Sequence, residues 1–372
     1  SFAGNKTPQG NSDSNGIGDF YYAPPTGFLA LCTANLPDVD VIPSEHFNPV
    51  IYTGNGSTQS ITGVGFQPDF VWNKKRAGGT ARNHMLTDSV RGVLKCLSSS
   101  LNDAEFTNSN GLSSFDSDGF SVGSYNNFNE SGGTYVSWNW KAGGTAVSNT
   151  NGSITSSVSA NPSAGFSIVS WTSDGSNGLA VGHGLASAPQ LIIYKPRNAV
   201  NEWYTWLNAL VDSSQDYVRL NSTAAKVDIN SAVSGVPSST LISNFGFANT
   251  NTMIAYCFHS VESYSKVGSY TGNGSDDGPF VHCGLRPAFI LTKRTDGTSP
   301  WRLFDNKRPD ANFQTYKLEA DSSGAELTGY SYADFLSNGF KIRDNGSYIN
   351  ANGGNYIFIA FAESPFKHTN AR

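Results

Sequence analysis

Gly65-Phe66-Gln67-Pro68-Asp69-Phe70-Val71-Trp72-Asn73-Lys74 runs glycine, apolar residue, proline, then an apolar stretch that closes on lysine. The same pattern returns at Gly184-Leu185-Ala186-Ser187-Ala188-Pro189-Gln190-Leu191-Ile192-Ile193-Tyr194-Lys195 and at Gly284-Leu285-Arg286-Pro287-Ala288-Phe289-Ile290-Leu291-Thr292-Lys293. The three prolines stand roughly a hundred residues apart, too far for a solenoid repeat and about the length of a small domain. The chain therefore reads as an array of related modules. An array presents surfaces, and is a poor first guess for a single-site enzyme.

The ends of the modules repeat as well. Asp118-Gly119-Phe120 precedes Tyr135-Val136-Ser137-Trp138, Phe245-Gly246-Phe247 precedes Met253-Ile254-Ala255-Tyr256, and Asn338-Gly339-Phe340 precedes Tyr356-Ile357-Phe358-Ile359-Ala360-Phe361. Asp-Gly and Asn-Gly supply the positive φ of tight hairpin turns. The closing runs alternate as strands with one packed face do. Trp138, Tyr256 and Phe361 align at one position and read as core. The first and third modules also share Tyr-Thr-Gly-Asn-Gly, at Tyr52–Gly56 and Tyr270–Gly274, and a Leu-x-Asp-x-x-Arg motif. The latter gives two candidate ion pairs, Asp88 with Arg91 and Asp305 with Arg308, read as scaffolding because a carboxylate facing a guanidinium pins a loop. The second module lacks both motifs and is the divergent copy.

Composition agrees with an all-β class. Charged residues are 14% of the chain, there are 39 glycines, and turn formers recur every ten residues or so. The predicted architecture is three β-sandwich-like modules, at 51–150, 151–265 and 266–372, behind an N-terminal arm at 1–50. In that arm Phe20–Pro37 reads as a hairpin around Pro24-Pro25, either docked on the first module or the end of a domain upstream. Thr145–Gly165 reads as a linker or as the first strand region of the second module. Val90, Leu94, Leu97 and Leu101 have roughly helical spacing, read as a short helix at most, or as loop and strand. A formal net charge of −5 argues against nucleic acid or an anionic membrane as partner. No apolar stretch reaches the length of a transmembrane helix. Cys32, Cys96, Cys257 and Cys283 sit in or beside apolar runs and read as free, buried thiols, with no disulfide expected.

Each candidate site has two readings. Trp203, Tyr204, Trp206 and Trp301 are the best binding hint, because aromatic faces hold sugar rings or apolar patches. The bland reading points Tyr204 and Trp206 into the core and Trp203 and Thr205 outward. Asp116 with Asp118, and Asp276 with Asp277, are carboxylate pairs, but neighbours on one loop do not face each other across a cleft as glycoside hydrolysis requires. Cys257, His259, His282 and Cys283 could in principle hold zinc, with a spacing that matches no familiar site. The expectation is no catalytic residue, no metal and no cofactor, with calcium in the Asp13–Asp19 loop as the softer possibility.

Several stretches resemble a known family. Ala34-Asn35-Leu36-Pro37, after Pro24-Pro25-Thr26-Gly27-Phe28, resembles the end of a SPRY or concanavalin-like domain of marine bacteriophage proteins. Thr87-Asp88-Ser89-Val90-Arg91-Gly92, Tyr135 to Gly143, Gly268 to Gly274 and Ala360 to Lys367 resemble an uncharacterised repeat domain that follows it in tail-fibre and virion appendage proteins. The resemblance implies a structural and adhesive protein on the virion surface, assembled in the host cytoplasm. Its partners would be other virion proteins and a host surface glycan or receptor. It also implies a homo-oligomer, with a trimer favoured and the third module distal. The competing functions are a polysaccharide-degrading tail spike and a bacterial cell-surface lectin.

Overall fold

The computed structural model describes residues 6–35, 39–176, 179–210, 216–228, 236–243, 250–309 and 313–363. Leu36-Pro37, Phe245-Gly246-Phe247 and Ser364 to Lys367, all quoted above, lie outside them. The protein is all-β, and the two α-helices among the described residues, Asn126–Asn129 and Ser347–Asn350, are one turn each.

Four strands recur in each third of the chain. The first third has β1 (Phe47–Thr53), β2 (Phe70–Ala77), β3 (Met85–Asp88) and β4 (Thr134–Trp140). The second has β5 (Phe166–Thr172), β6 (Leu191–Pro196), β7 (Tyr204–Leu207) and β8 (Thr252–Phe258). The third has β9 (Ser265–Thr271), β10 (Pro287–Arg294), β11 (Arg302–Asp305) and β12 (Asn355–Ala362). In each the spatial order is first, fourth, second, third, antiparallel throughout. The second sheet is extended by Val147–Asn149 and Ser156–Asn161, so part of the Thr145–Gly165 stretch is strand.

Each four-stranded sheet is buried on both faces. Side chains on alternate positions of a strand point to opposite faces. On β2, Phe70 and Trp72 face one core and Val71 another; on β10, Phe289 and Leu291 face one and Ile290 another. One face of each sheet packs on a smaller sheet of its own third, as in a sandwich. The other faces of all three sheets share a single central core. Trp140, Phe258 and Phe361 meet at its middle, with ring centroids 5.6, 5.9 and 6.4 Å apart. The modules thus close into a ring with pseudo-threefold symmetry, and the third packs against the first. The array is therefore closed rather than strung end to end.

The ladder also corrects one alignment. Trp138 pairs with Trp72, Tyr256 with Ile193, and Ile359 with Leu291. Phe361 is therefore the counterpart of Trp140 and Phe258, and Ile359 that of Trp138 and Tyr256. A slip of two residues keeps every side chain on its face, so alternation alone could not detect it.

The shared Tyr-Thr-Gly-Asn-Gly is a clasp. Tyr52 stacks on Tyr135 at 5.0 Å and Tyr270 on Tyr356 at 4.8 Å. Asn55 accepts from Asn129 Nδ2 and its N–H donates to Asn129 Oδ1; Asn273 and Asn350 repeat both bonds. A Cβ on Gly54 or Gly272 would stand 2.3 Å from the carbonyl of Glu130 or Ala351, so only glycine fits there.

The arm departs from expectation. Among the described residues of Phe20–Pro37 no hairpin forms; there is an isolated bridge, Asn11 to Phe20, and a 3₁₀ turn at Thr33–Asn35. The reason lies in Asp13, whose carboxylate accepts the N–H groups of Asn15, Ile17 and Ala30 and the amide of Asn35. That gathers the chain around a side chain rather than along a ladder. Val90–Leu101 is turn and short strand, not helix.

Candidate functional site

The tryptophans proposed to meet a ligand are inside. Trp203, Trp206 and Trp301 are at most 2% exposed, and Thr205 is also buried. Trp203 belongs to the central core and Trp206 to the sandwich core of its own module. Because β7 has a core on each side, neither half of the alternation points to solvent. Half-buried Tyr204 stacks on Tyr194 at 5.4 Å.

Trp203 and Trp301 instead join modules. Trp203 Nε1 donates to the Ser98 carbonyl of the first module at 2.6 Å, and Trp301 Nε1 to the Arg219 carbonyl of the second at 2.8 Å. The register places His84 at their counterpart in the first module, with Nε2 2.9 Å from the Glu319 carbonyl of the third. Trp72 Nε1 donates to His84 Nδ1, so Nε2 carries the hydrogen. Burial, reinforced by the nearby Lys74 charge, holds the imidazole well below its usual pKa.

The lysines that close each repeated stretch play the same part. Lys74 donates to Arg82 O and Ser323 O, Lys195 to Asn201 O and Asn102 O, and Lys293 to Ser299 O and Thr223 O. In each case one carbonyl is its own module's and the other a neighbour's. All three are buried. Burial lowers Lys74 to about 7 and Lys195 and Lys293 to about 8.

The two Asp–Arg pairs form, at 2.5 Å in the first module and 2.6 Å in the third, fully buried. Each reaches across to the next module of the ring. Tyr256 OH donates to Asp88 Oδ2 at 2.8 Å, and Trp138 Nε1 donates to Asp305 Oδ2 at 2.9 Å. Arg91 continues through Glu105 to Arg197, and Arg308 through Glu326 to Arg76. At the remaining joint the counterparts of acid, arginine and aromatic are Leu207, Leu210 and Ile359, all in the central core. Where the facing ring carries a polar hydrogen the acid is present, and where it does not the acid is leucine.

The other candidates do not assemble. Asp116 accepts from Ser114 and Ser121, and Asp118 from the N–H groups of Gly63 and Gly65. Asp277 pairs with Lys341. Cys257 and Cys283 lie in the cores of different modules, and His259 bonds the Ala188 carbonyl. Among the described residues no group of three His, Cys, Asp or Glu is placed to hold a metal. The oxygens of Asp13 that would meet calcium already accept four N–H donors. All four cysteines are free; Cys32 is exposed rather than buried.

Sequence reasoning missed a cleft in the third module, ≈ 590 Å³ in volume. Tyr330 stands at its mouth, 67% exposed. Tyr332, Tyr348 and Lys317 line its inner part, and Arg343 and Asp344 its side. Lys317 Nζ lies 5.2 Å from the Tyr332 ring centre and 4.9 Å from that of Tyr348. Asp344 is held by the Gly346 N–H at 2.7 Å and the Tyr348 hydroxyl at 2.5 Å. Burial, then the hydrogen bond to Asp344, raises the Tyr348 phenol. An exposed ring over a floor of fixed donors and acceptors is how proteins hold a saccharide. The signal in the sequence was Gly329-Tyr330-Ser331-Tyr332, tyrosines two apart after a glycine, with Tyr348 following an Asn-Gly turn.

The protein is thus a ring of three like β-modules with a polar, tyrosine-lined cleft in the third. The family described as "Domain of unknown function (DUF7483)" matches residues 42–365, so the chain belongs to that family. No curated protein matches it.

Proposed function

We propose that the protein is a structural and adhesive component of a phage virion, a tail fibre or similar appendage, which grips a host surface saccharide in the cleft of its third module. The observation that carries the binding half is the exposed Tyr330 ring beside the Tyr332, Tyr348 and Lys317 floor. The virion half rests on the resemblance of the repeated stretches. Doubly buried sheets and interlocked joints suit a load-bearing part, since little of the chain is left to move. Screening the purified protein against immobilised host surface polysaccharides tests the first half. Binding that Tyr330→Ala reduces tenfold or more supports it, and no binding to any of them overturns it. Antibody against the chain should label purified particles; unlabelled particles overturn the virion assignment and leave the cell-surface lectin. Asp276 and Asp344 both line the cleft, which keeps a polysaccharide-degrading spike as a second reading. New reducing ends after incubation with bound polysaccharide would favour that reading.

A further inference from the structure

We infer that the cleft takes an acidic saccharide, with its carboxylate or sulfate on the Lys317 ammonium and a sugar ring on Tyr330. The inference rests on the saccharide reading above and adds the chemical class. It begins with a comparison inside the chain. Lys317 precedes Leu318, which pairs with Leu303; the matching pairs are Leu97 with Leu86 and Val218 with Thr205. The counterpart of Lys317 is thus Cys96 in the first module and Tyr217 in the second. Arg302, beside it, corresponds to Met85 and Tyr204. Cys96 and Met85 are ordinary core residues. The fold does not need a cation here, and the third module alone supplies one.

That cation is costly and only partly compensated. Lys317 is 8% exposed, and burial, with the Arg302 charge, lowers its pKa. Its nearest carboxylate, Glu319, is 3.6 Å away and is held more closely by Arg302. The other acids nearby are engaged: Asp344 by Gly346 and Tyr348, Asp334 by Arg343, and Asp277 by Lys341. Asp276 stands exposed at the rim. Lys317 therefore lines the cleft between two tyrosine rings, and the carboxylate nearest its ammonium, Glu319, is shared with Arg302. An oxyanion on a ligand would meet that need, and the cleft has room for a sugar unit around it.

The test is calorimetric titration of the full chain at low salt with four probes: a uronate-bearing disaccharide, a sulfated one, their neutral parent, and inorganic sulfate. One of the acidic disaccharides is expected to bind at least tenfold more tightly than the neutral parent and inorganic sulfate, and to weaken as salt rises. Which of the two it is names the acid. Lys317→Met should abolish the preference, Lys317→Arg keep part of it, and Tyr330→Ala weaken acidic and neutral sugars alike, with near-ultraviolet circular dichroism to certify each fold. If Lys317→Met does not fold, Lys317→Arg and the salt dependence of the unaltered chain decide. Equal binding of acidic and neutral probes, both lost in Tyr330→Ala, overturns the acidic class and leaves the saccharide reading standing. Inorganic sulfate binding as well as a sulfated sugar also overturns it. No binding by any disaccharide overturns both.

Discussion

Asp305 and Trp138 lie in different modules and meet as one buried contact, with Arg308 closing the set. Removing one member strands the others in a medium that cannot solvate them. Arg308→Leu is expected to cost about 3–5 kcal/mol in chemical denaturation. Adding Asp305→Leu and Trp138→Ile, the residues of the apolar joint, should recover part of that loss, because no charge is then left unpaired. Losses that simply add would show that the three do not act together. The motif was legible in the sequence as an ion pair. Its cross-module partner was not, because nothing in local spacing ties residue 305 to residue 138.

Titration follows from the same burial. Lys74, Lys195 and Lys293 have folded pKa values of about 7 to 8 against an ordinary 10.5, so over that interval the unfolded chain binds protons the folded one does not. Stability must then rise with pH from about 7 towards 10. His84, held below its usual value, acts in the same direction, losing stability as pH falls through about 6.5. Asp321, raised to about 6, acts oppositely, between about pH 4 and 6. Above pH 10 the buried tyrosines reverse the trend, because Tyr52, Tyr194 and Tyr256 hold their protons longer when folded. The denaturation midpoint should be higher at pH 9 than at pH 7, and Lys74→Met should reduce that difference. A midpoint that falls over this interval would refute the linkage.

At the scale of elements, turns and strands were largely readable, because glycine, proline and alternation mark them directly. The clasp of Tyr270 to Gly274 shows what was hidden: its sequence was visible, but its target, the one-turn helix at Ser347–Asn350, was not. Gly272→Ala should destabilise the third module by about 1–3 kcal/mol, since its methyl would collide with the Ala351 carbonyl. Hydrogen exchange should show faster opening of β9 and β12 than of β5 and β8 in that variant. The arm was misread because Pro-Pro between apolar runs looks like a hairpin, while the organising group was a single aspartate thirteen residues in. At Trp203–Trp206 the alternation was read as one face inward and one outward, but a strand with a core on each side has no outer face to offer a ligand.

For the whole molecule, the repeat was legible and the ring was not. Three similar modules can string out or close, and closure depends on contacts between positions far apart in sequence. Since one face of every main sheet lies in the common core, no module has a complete core alone. A fragment of residues 266–363 is expected to be soluble only poorly and to lack the dispersed amide spectrum of a folded domain. A well-dispersed spectrum would show that the modules are independent.

One joint of the ring is greasy and two are charged, and that difference works as an address. Each Asp–Arg corner receives a polar hydrogen from the facing position, and the leucine corner faces an isoleucine. Exchanging the second and third modules along the chain would set Asp88 against Ile359 and the Trp138 N–H against Leu207, with only Asp305 meeting a polar hydrogen, that of Tyr256. The chain thus carries its own seating plan: the other order deprives Asp88 of its hydroxyl donor and the Trp138 N–H of its acceptor, and the native order satisfies all three seats.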